Sequence, residues 1–325
     1  MLLFKPDEEC RRLAKLAVEL GVGDHVKAIK RPQVKPEDII EELRKTDNGR
    51  RWVEEFEKAK YPWFYFSTGY GFTPLDKTWI DDLSIPLSLI ADYIARLERG
   101  ERVERPIEEI RKERDQMVEE YRKLLRTEED RKTFDQLLGL ARKVFPFIED
   151  HGFYVEHWFH TLWFKKLKDL AKIFVKAGFF KEEDDIFFLT RYELEEALYD
   201  YIISWAQGTP AAGPEYWPPI IEKRKRIWEN LKKWSPEPAL GPVPEVVREP
   251  VTVMLYGITK ETVEGWLARK EVKEEVEIKG YPASPGVAEG VARVCLTPAE
   301  IPLIQPGEIL IAPVTAPSWA PAFGK

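Results

Sequence analysis

Three of the chain's four histidines, His151, His157 and His160, fall close together, with the carboxylates Glu149, Asp150 and Glu156 among them. Tyr154, Trp158, Phe159, Trp163 and Phe164 are interleaved with the cluster. A neutral imidazole with a pKa near about 6.5 can accept a proton at neutral pH, and a neighbouring carboxylate can orient it. His157, His160 and Glu156 are therefore the candidate catalytic groups. His151, Tyr154, Trp158, Trp163, Phe164 and the more distant Arg191 are candidate substrate contacts. Aromatic walls would give such a site an apolar pocket and keep water from it.

A helix must carry these groups. From about Phe153 to Ala177, His160, Trp163, Phe164, Leu167, Ala171 and Phe174 recur at three- and four-residue spacing, with lysines filling the opposite side. On α-helical geometry Glu156 and His157 lie within about 60° of His160, so all three point to the buried face. Burying imidazole and carboxylate costs several kcal/mol unless partners satisfy them. Two readings fit: a reactive site, or hydrogen-bonded core histidines. A metal site is a third, but the His-x-x-x-His spacing with Glu that marks zinc helices is absent, so no metal is expected.

The remaining periodicity predicts a mainly α body to about residue 234. Helices are expected over 7–20, over 36–60 with a break at Thr46–Gly49, and over 84–98. A long charged helix over 106–132 is expected to bury Ile107, Ile110, Met117, Tyr121, Leu124 and Leu125. A further helix over 128–145 is expected to stop at Pro146. Residues 186–190 read as an extended piece, and Thr190 with Glu193 as a capping box. A last helix should turn Ile221, Trp228 and Leu231 inward, leaving Lys223–Arg226 as a solvated face or a phosphate contact. The aromatic run 61–66 and the Ser67–Pro74 loop make either a pocket rim, with Ser67, Thr68, Tyr70 and Trp79 facing a ligand, or a buried loop. Ser67-Thr68-Gly69 lacks the lysine and glycine spacing of a phosphate-binding loop.

Proline-rich residues 235–250 read as a connector, and 235–275 as that connector plus a strand at 251–255 and a helix from Lys260 to about Lys270. Strands are also expected at 274–278, 290–296 and 307–313. The 325 residues are 44% hydrophobic and 33% charged with net charge −7, ordinary for a globular chain, and argue against nucleic acid as a partner. Two cysteines exclude a disulfide framework, and with no apolar run long enough for a membrane span the expected location is the cytoplasm.

Residues 276–325 carry a resemblance. Ala283-Ser284-Pro285-Gly286, Gly290, Gly307-Glu308-Ile309-Leu310 and Thr315-x-Pro317-x-Trp319 resemble the opening of the β/β/α swivelling phosphohistidine domain of the phosphoenolpyruvate-utilising enzymes. The helical part, through EEDDIFFLTRYEL, WFYFSTGYGF and WIDDLSIP, resembles the middle domain of phenylphosphate synthase and rifampin phosphotransferase. The resemblance implies residues 1–234 as a helical acceptor-binding domain, followed by a partial β-rich swivelling domain. It implies ATP and Mg2+ bound by an ATP-grasp partner rather than here. A phosphohistidine would carry the phosphoryl group to a small hydroxylated, aromatic acceptor such as phenol. In the family the carrier histidine follows the T-x-P-x-W segment, so this sequence is expected to be a fragment, or to be completed by another chain carrying the remainder of the swivelling domain. On that reading His157 or His160 is the base for the acceptor hydroxyl, with Glu156 or Glu149 orienting it, and Arg191 or Arg224 supplies positive charge. The competing reading is a non-catalytic helical scaffold that docks partners through its aromatic surface.

Overall fold

The computed structural model describes residues 2–69, 71–234, 236–268, 286–296, 298–315, 319 and 322. The described fold is mainly α, with two short strands, and falls into two compact units. Unit 1 comprises Met1–Ile173, Glu182–Phe187 and Ala288–Lys325; unit 2 comprises Phe174–Lys181 and Phe188–Val287. None of the described helices is long and apolar enough to cross a membrane.

Unit 1 is built on α1 (Lys5–Glu19), α2 (Gly23–Lys27), α3 (Pro36–Leu43), α4 (Asp47–Trp63) and α5 (Ser84–Glu98). Cys10, Leu13, Ala14 and Ala17 form the buried stripe of α1, which packs on both α4 and α5. The expected break at Thr46 is present: its Oγ1 accepts from the Gly49 amide at 3.0 Å and caps α4. Trp52, Phe56, Phe64, Phe66 and Trp79 fill the centre, and the Trp52 indole N–H donates to the Leu13 carbonyl at 2.9 Å. Each such side chain stabilises the fold by about 1.5–3 kcal/mol on burial, so core packing outweighs helix propensity here. Asp7 is buried beneath α5 and accepts from the Tyr93 hydroxyl and the Arg11 guanidinium.

Next come α6 (Ile107–Leu124) and α7 (Glu128–His151), and neither buries a residue. The expected buried stripe of α6 is corrected: Ile107, Ile110, Met117, Tyr121 and Leu124 are exposed. Arg122–Asp135 and Arg142–Asp115 hydrogen bonds join the two helices, in place of an apolar seam. The break falls at Leu125, because Thr127 and Asp130 form a capping box there. Pro146 does not stop α7. A proline removes one intrahelical bond, and the carbonyl it strands, that of Arg142, belongs to an exposed residue that water can serve. The chain then winds as a π-helix over Gly152–Phe159 before α8 (His160–Lys176). The expected extended piece is instead a 3-10 turn over Glu183–Phe188, closed where Asp185 Oδ2 accepts from the Glu182 amide at 3.2 Å.

Unit 2 holds α9 (Arg191–Gln207), α10 (Gly213–Leu231), α11 (Pro250–Tyr256) and α12 (Lys260–Ala268). The Thr190/Glu193 capping box is formed as expected. Ile221 is buried, but Trp228 and Leu231 are exposed, contrary to the expected inward face. Residues 251–255 are helical rather than a strand: Pro250 opens the turn and Glu249 accepts from the Thr252 amide. The strand expected at 274–278 lies outside the described residues.

In the C-terminal part of unit 1, β1 (Ala292–Val294) and β2 (Ile309–Ile311) pair in parallel, with Ala292 opposite Ile309. Gly290 permits the crossing, since a Cβ there would fall 2.7 Å from the Gly307 carbonyl oxygen. Cys295, Ile301, Ile304, Trp319 and Ala322 form a small core of their own. Ala283–Pro285 and residues 316–318 of the resemblance lie outside the described residues.

Candidate functional site

The loop after α4 meets the π segment within unit 1. Phe64, Phe66 and Trp79 bury its two ends, and Ser67 bridges Thr78 across it. The buried-loop reading holds at the base, where Trp79 is in the core rather than at a rim; of the residues expected to face a ligand, Ser67 lines a cavity with Gly71 and Asp76, and Tyr70 lies outside the described residues.

His157 sits at the buried base. It is 1% exposed, stacks on Phe66 with ring centroids 4.1 Å apart, and its Nδ1 lies 3.2 Å from the Ser67 amide nitrogen. An amide N–H only donates, so Nδ1 carries the lone pair and the ring proton is on Nε2. Burial, helped by the nearby His160, pushes its pKa down to about 4.

His160, one turn on, is held the opposite way. Its Nδ1 lies 3.0 Å from the Gly71 carbonyl oxygen. A carbonyl only accepts, so Nδ1 carries the proton and Nε2 the lone pair. Phe72, Phe159 and Phe164 surround the half-buried imidazole at 5.8, 5.8 and 5.7 Å, and Trp163 stacks on Phe159. Phe72, Phe159 and Trp163 are themselves about half exposed, which leaves the aromatic wall open on one side.

The π turn explains why these histidines do not share a face as α geometry predicts. Extra residues per turn send His157 into the core with Phe153 and leave His160 at the rim. Glu156 serves neither: its carboxylate lies 3.9 Å from His151 Nδ1, and His151 is exposed. The orienting groups are backbone atoms of Ser67 and Gly71, not the carboxylates. Tyr154 and Trp158 pack against each other, Trp158 also against Tyr61, in an aromatic group separate from the rings around His160. Phe164 and Trp163 join the His160 cluster.

Arg191 belongs to unit 2, where its guanidinium lies over the Tyr192 ring at 4.5 Å. Arg224 forks onto Glu193 with both bonds at 2.7 Å, and this pairing holds the Glu193 carboxyl down to about 2. In the basic run, Arg224 is thus a structural ion-pair partner.

Beside the cluster is a cavity of about 20 Å³, large enough for a water, lined among others by Gly71, Thr73, Asp76, Asp81, Thr161 and Lys165. Lys165 donates to Asp81 at 2.7 Å and ties the loop to α8. Burial raises the Asp76 pKa. Gly71 and Phe72 were not singled out by the residue pattern. The available signal was the second glycine of STGYGF, since Gly71 has φ +85°.

No family model matches the chain. An uncharacterized phosphotransferase of Bacillus subtilis strain 168 is 22% identical over 291 residues, covering 89% of this chain and 32% of that protein. The rifampicin phosphotransferase of the same organism is 24% identical over 303 residues, covering 89% of this chain and 30% of its own length. A phosphoenolpyruvate synthase of Aeropyrum pernix is 35% identical over 85 residues, 22% of this chain and 10% of the relative. The chain spans about a third of the length of the two Bacillus relatives. Over most of its length the chain is thus similar to phosphotransferases, and over a shorter stretch to a phosphoenolpyruvate synthase, which supports a likeness to the phosphoenolpyruvate-utilising enzymes.

Proposed function

We propose that unit 1 binds the hydroxyl-bearing acceptor of a phosphohistidine-dependent phosphotransferase and that His160 is its general base. The observation that carries this reading is the His160 ring. Its Nδ1–H is committed to Gly71, so its Nε2 lone pair is left among half-exposed aromatic rings. An aromatic acceptor such as a phenol would stack on Phe72, Phe159 or Trp163 with its hydroxyl toward Nε2. A phenol has a pKa near about 10 and is a weak nucleophile until its proton is taken.

In the transfer step the acceptor oxygen forms the new P–O bond as the P–N bond of the phosphohistidine breaks. The acceptor proton passes to His160 Nε2, and the carrier imidazole leaves. ATP and Mg2+ would be used by an ATP-grasp part, and the carrier would lie on the rest of the swivelling domain; both are assigned to partners of residues 1–325. His157 is buried and neutral, and fits a packing role beneath the site. Among the described residues, Tyr154, Trp158 and His151 make their contacts apart from the rings around His160, which does not favour them as acceptor contacts.

The test is kinetic. In the complete enzyme, His160→Gln should lower acceptor phosphorylation by about 10²–10⁴-fold while ATP-dependent labelling of the carrier continues. An unchanged rate would remove His160 from the chemistry. The scaffold reading keeps one supporting observation, the exposed apolar stripe of α6. Measured acceptor binding to residues 1–325 would separate it from the catalytic one.

A further inference from the structure

Gly71 is fixed as glycine on two independent grounds. Its φ of +85° lies in the left-handed region, and a Cβ placed there would fall 1.8 Å from the Glu156 carbonyl oxygen and 2.5 Å from that carbonyl carbon. The loop therefore lies directly on the π-helix backbone. That close approach carries the Gly71 carbonyl to His160 Nδ1 across 89 residues of sequence. The same loop holds His157 through the Ser67 amide. Two imidazoles on one segment are thus fixed in opposite tautomers by backbone groups of a single loop.

We infer that Gly71 is a positioning residue, whose main-chain carbonyl keeps His160 in the Nδ1–H tautomer and so presents Nε2 as the base. The inference rests on the reading of His160 as the base. An unconstrained neutral histidine favours the Nε2–H tautomer, which would turn a donor rather than an acceptor toward the acceptor hydroxyl. The loop contact reverses that preference. Ordering also restricts the ring to one orientation between Phe159 and Phe164. A side chain at position 71 must lift the loop from Glu156, and the carbonyl moves with it. The bond to Gly71 persists when the ring is protonated, because the imidazolium still donates from Nδ1.

The experiment uses histidine labelled with nitrogen-15 in residues 1–325 and, in parallel, kinetics of the complete enzyme. His160 should show the Nδ1–H tautomer and His157 the Nε2–H tautomer at neutral pH. Gly71→Ala should move His160 toward the Nε2–H form and lower kcat by about 10- to 100-fold, as small misplacements of a reacting group do. Its KM should change less than its kcat. If Gly71→Ala does not fold, the pair His160→Asn and His160→Gln decides. The asparagine amide nitrogen can occupy the place of Nδ1 and donate to Gly71, whereas the glutamine nitrogen occupies that of Nε2. Backbone hydrogen exchange over residues 71–78 should stay near wild type in His160→Asn and quicken in His160→Gln. An Nε2–H His160 in the wild type, or equal exchange in the two variants, overturns the positioning role. A correct tautomer together with full activity of His160→Gln would instead refute His160 as the base, so the two failures are distinguishable.

Discussion

The Ser67 amide donates to Nδ1 of His157 inside the core, with both residues almost wholly buried. This pairing makes folding sensitive to mild acid. The folded His157 resists protonation until about pH 4, whereas the unfolded chain protonates near its ordinary value of 6.5. Between those values the unfolded state binds more protons, so stability falls as pH falls. The group should lower stability by about 2 kcal/mol between pH 7 and pH 5. His157→Phe should remove that part of the slope, at some cost for the unpaired Ser67 amide. Urea unfolding at both pH values checks this; equal slopes in the two proteins would show that His157 titrates normally.

Asp7 offers a second test, in the core rather than the site. Its carboxylate takes hydrogen bonds from Tyr93 and Arg11, whose guanidinium also lies 5.8 Å from the Tyr93 ring centre. Asp7→Ala leaves a buried guanidinium and a buried hydroxyl without their acceptor, and should cost about 3–5 kcal/mol. Asp7→Asn keeps one acceptor oxygen and should cost less. Denaturant midpoints of the two variants decide; equal losses would mean that charge, not the hydrogen-bond pattern, matters here.

Much of the helical body was legible because its stripes have a single period and clear stops. Leu13, Ala17, Ile40 and Trp52 are buried on helices that lie where the pattern puts them, the break at Thr46 is present, and Thr190 caps as read. The pattern misled where period alone was used as a measure of burial. The α6 stripe is helical and apolar, yet tertiary packing does not cover it. At the site, the π turn is invisible to a reading that assumes 3.6 residues per turn, and it separates His157 from His160. The groups that orient the two rings are an amide and a carbonyl, which every residue possesses, so no residue type announced them. Only the glycine at 71 left a trace.

The α6 surface gives a direct check on that correction. Met117 and Leu124 are 53% and 74% exposed. Met117→Glu and Leu124→Glu should each change the stability of residues 1–325 by no more than about 0.5 kcal/mol. A loss above about 1 kcal/mol in urea unfolding would show that the stripe is covered in solution.

In unit 2, Gly213 lies against Phe179, and a Cβ there would fall 1.9 Å from the ring. Its amide also donates to Asp200 at 2.7 Å. Gly213→Ala should cost about 1–3 kcal/mol as the ring is displaced. Phe179→Leu should relieve the clash and make the double variant less unstable than the two single losses added together. Strict additivity in denaturation would show that the two positions do not touch.

On the proposed phosphohistidine route, the carrier is a histidine distinct from the base. A phosphocarrier histidine needs a ring nitrogen free to meet first the donor and then the acceptor. His157 is enclosed by Phe66 and Ser67, while His160 keeps Nε2 open but is tethered through Nδ1 to the Gly71 loop, which holds it at one place. His25 and His151 are exposed, but neither stands in a sequence like the carrier segment of the family. Brief incubation of the complete enzyme with ATP labelled at the β-phosphate, followed by alkaline peptide mapping, should place acid-labile phosphohistidine outside residues 1–325. Adding acceptor should discharge that label into product, and His160→Gln should slow the discharge without slowing its formation. Label recovered on a peptide spanning residues 151–160 would make one of these histidines the carrier. His160 could not then be assigned as the base on the strength of its tautomer.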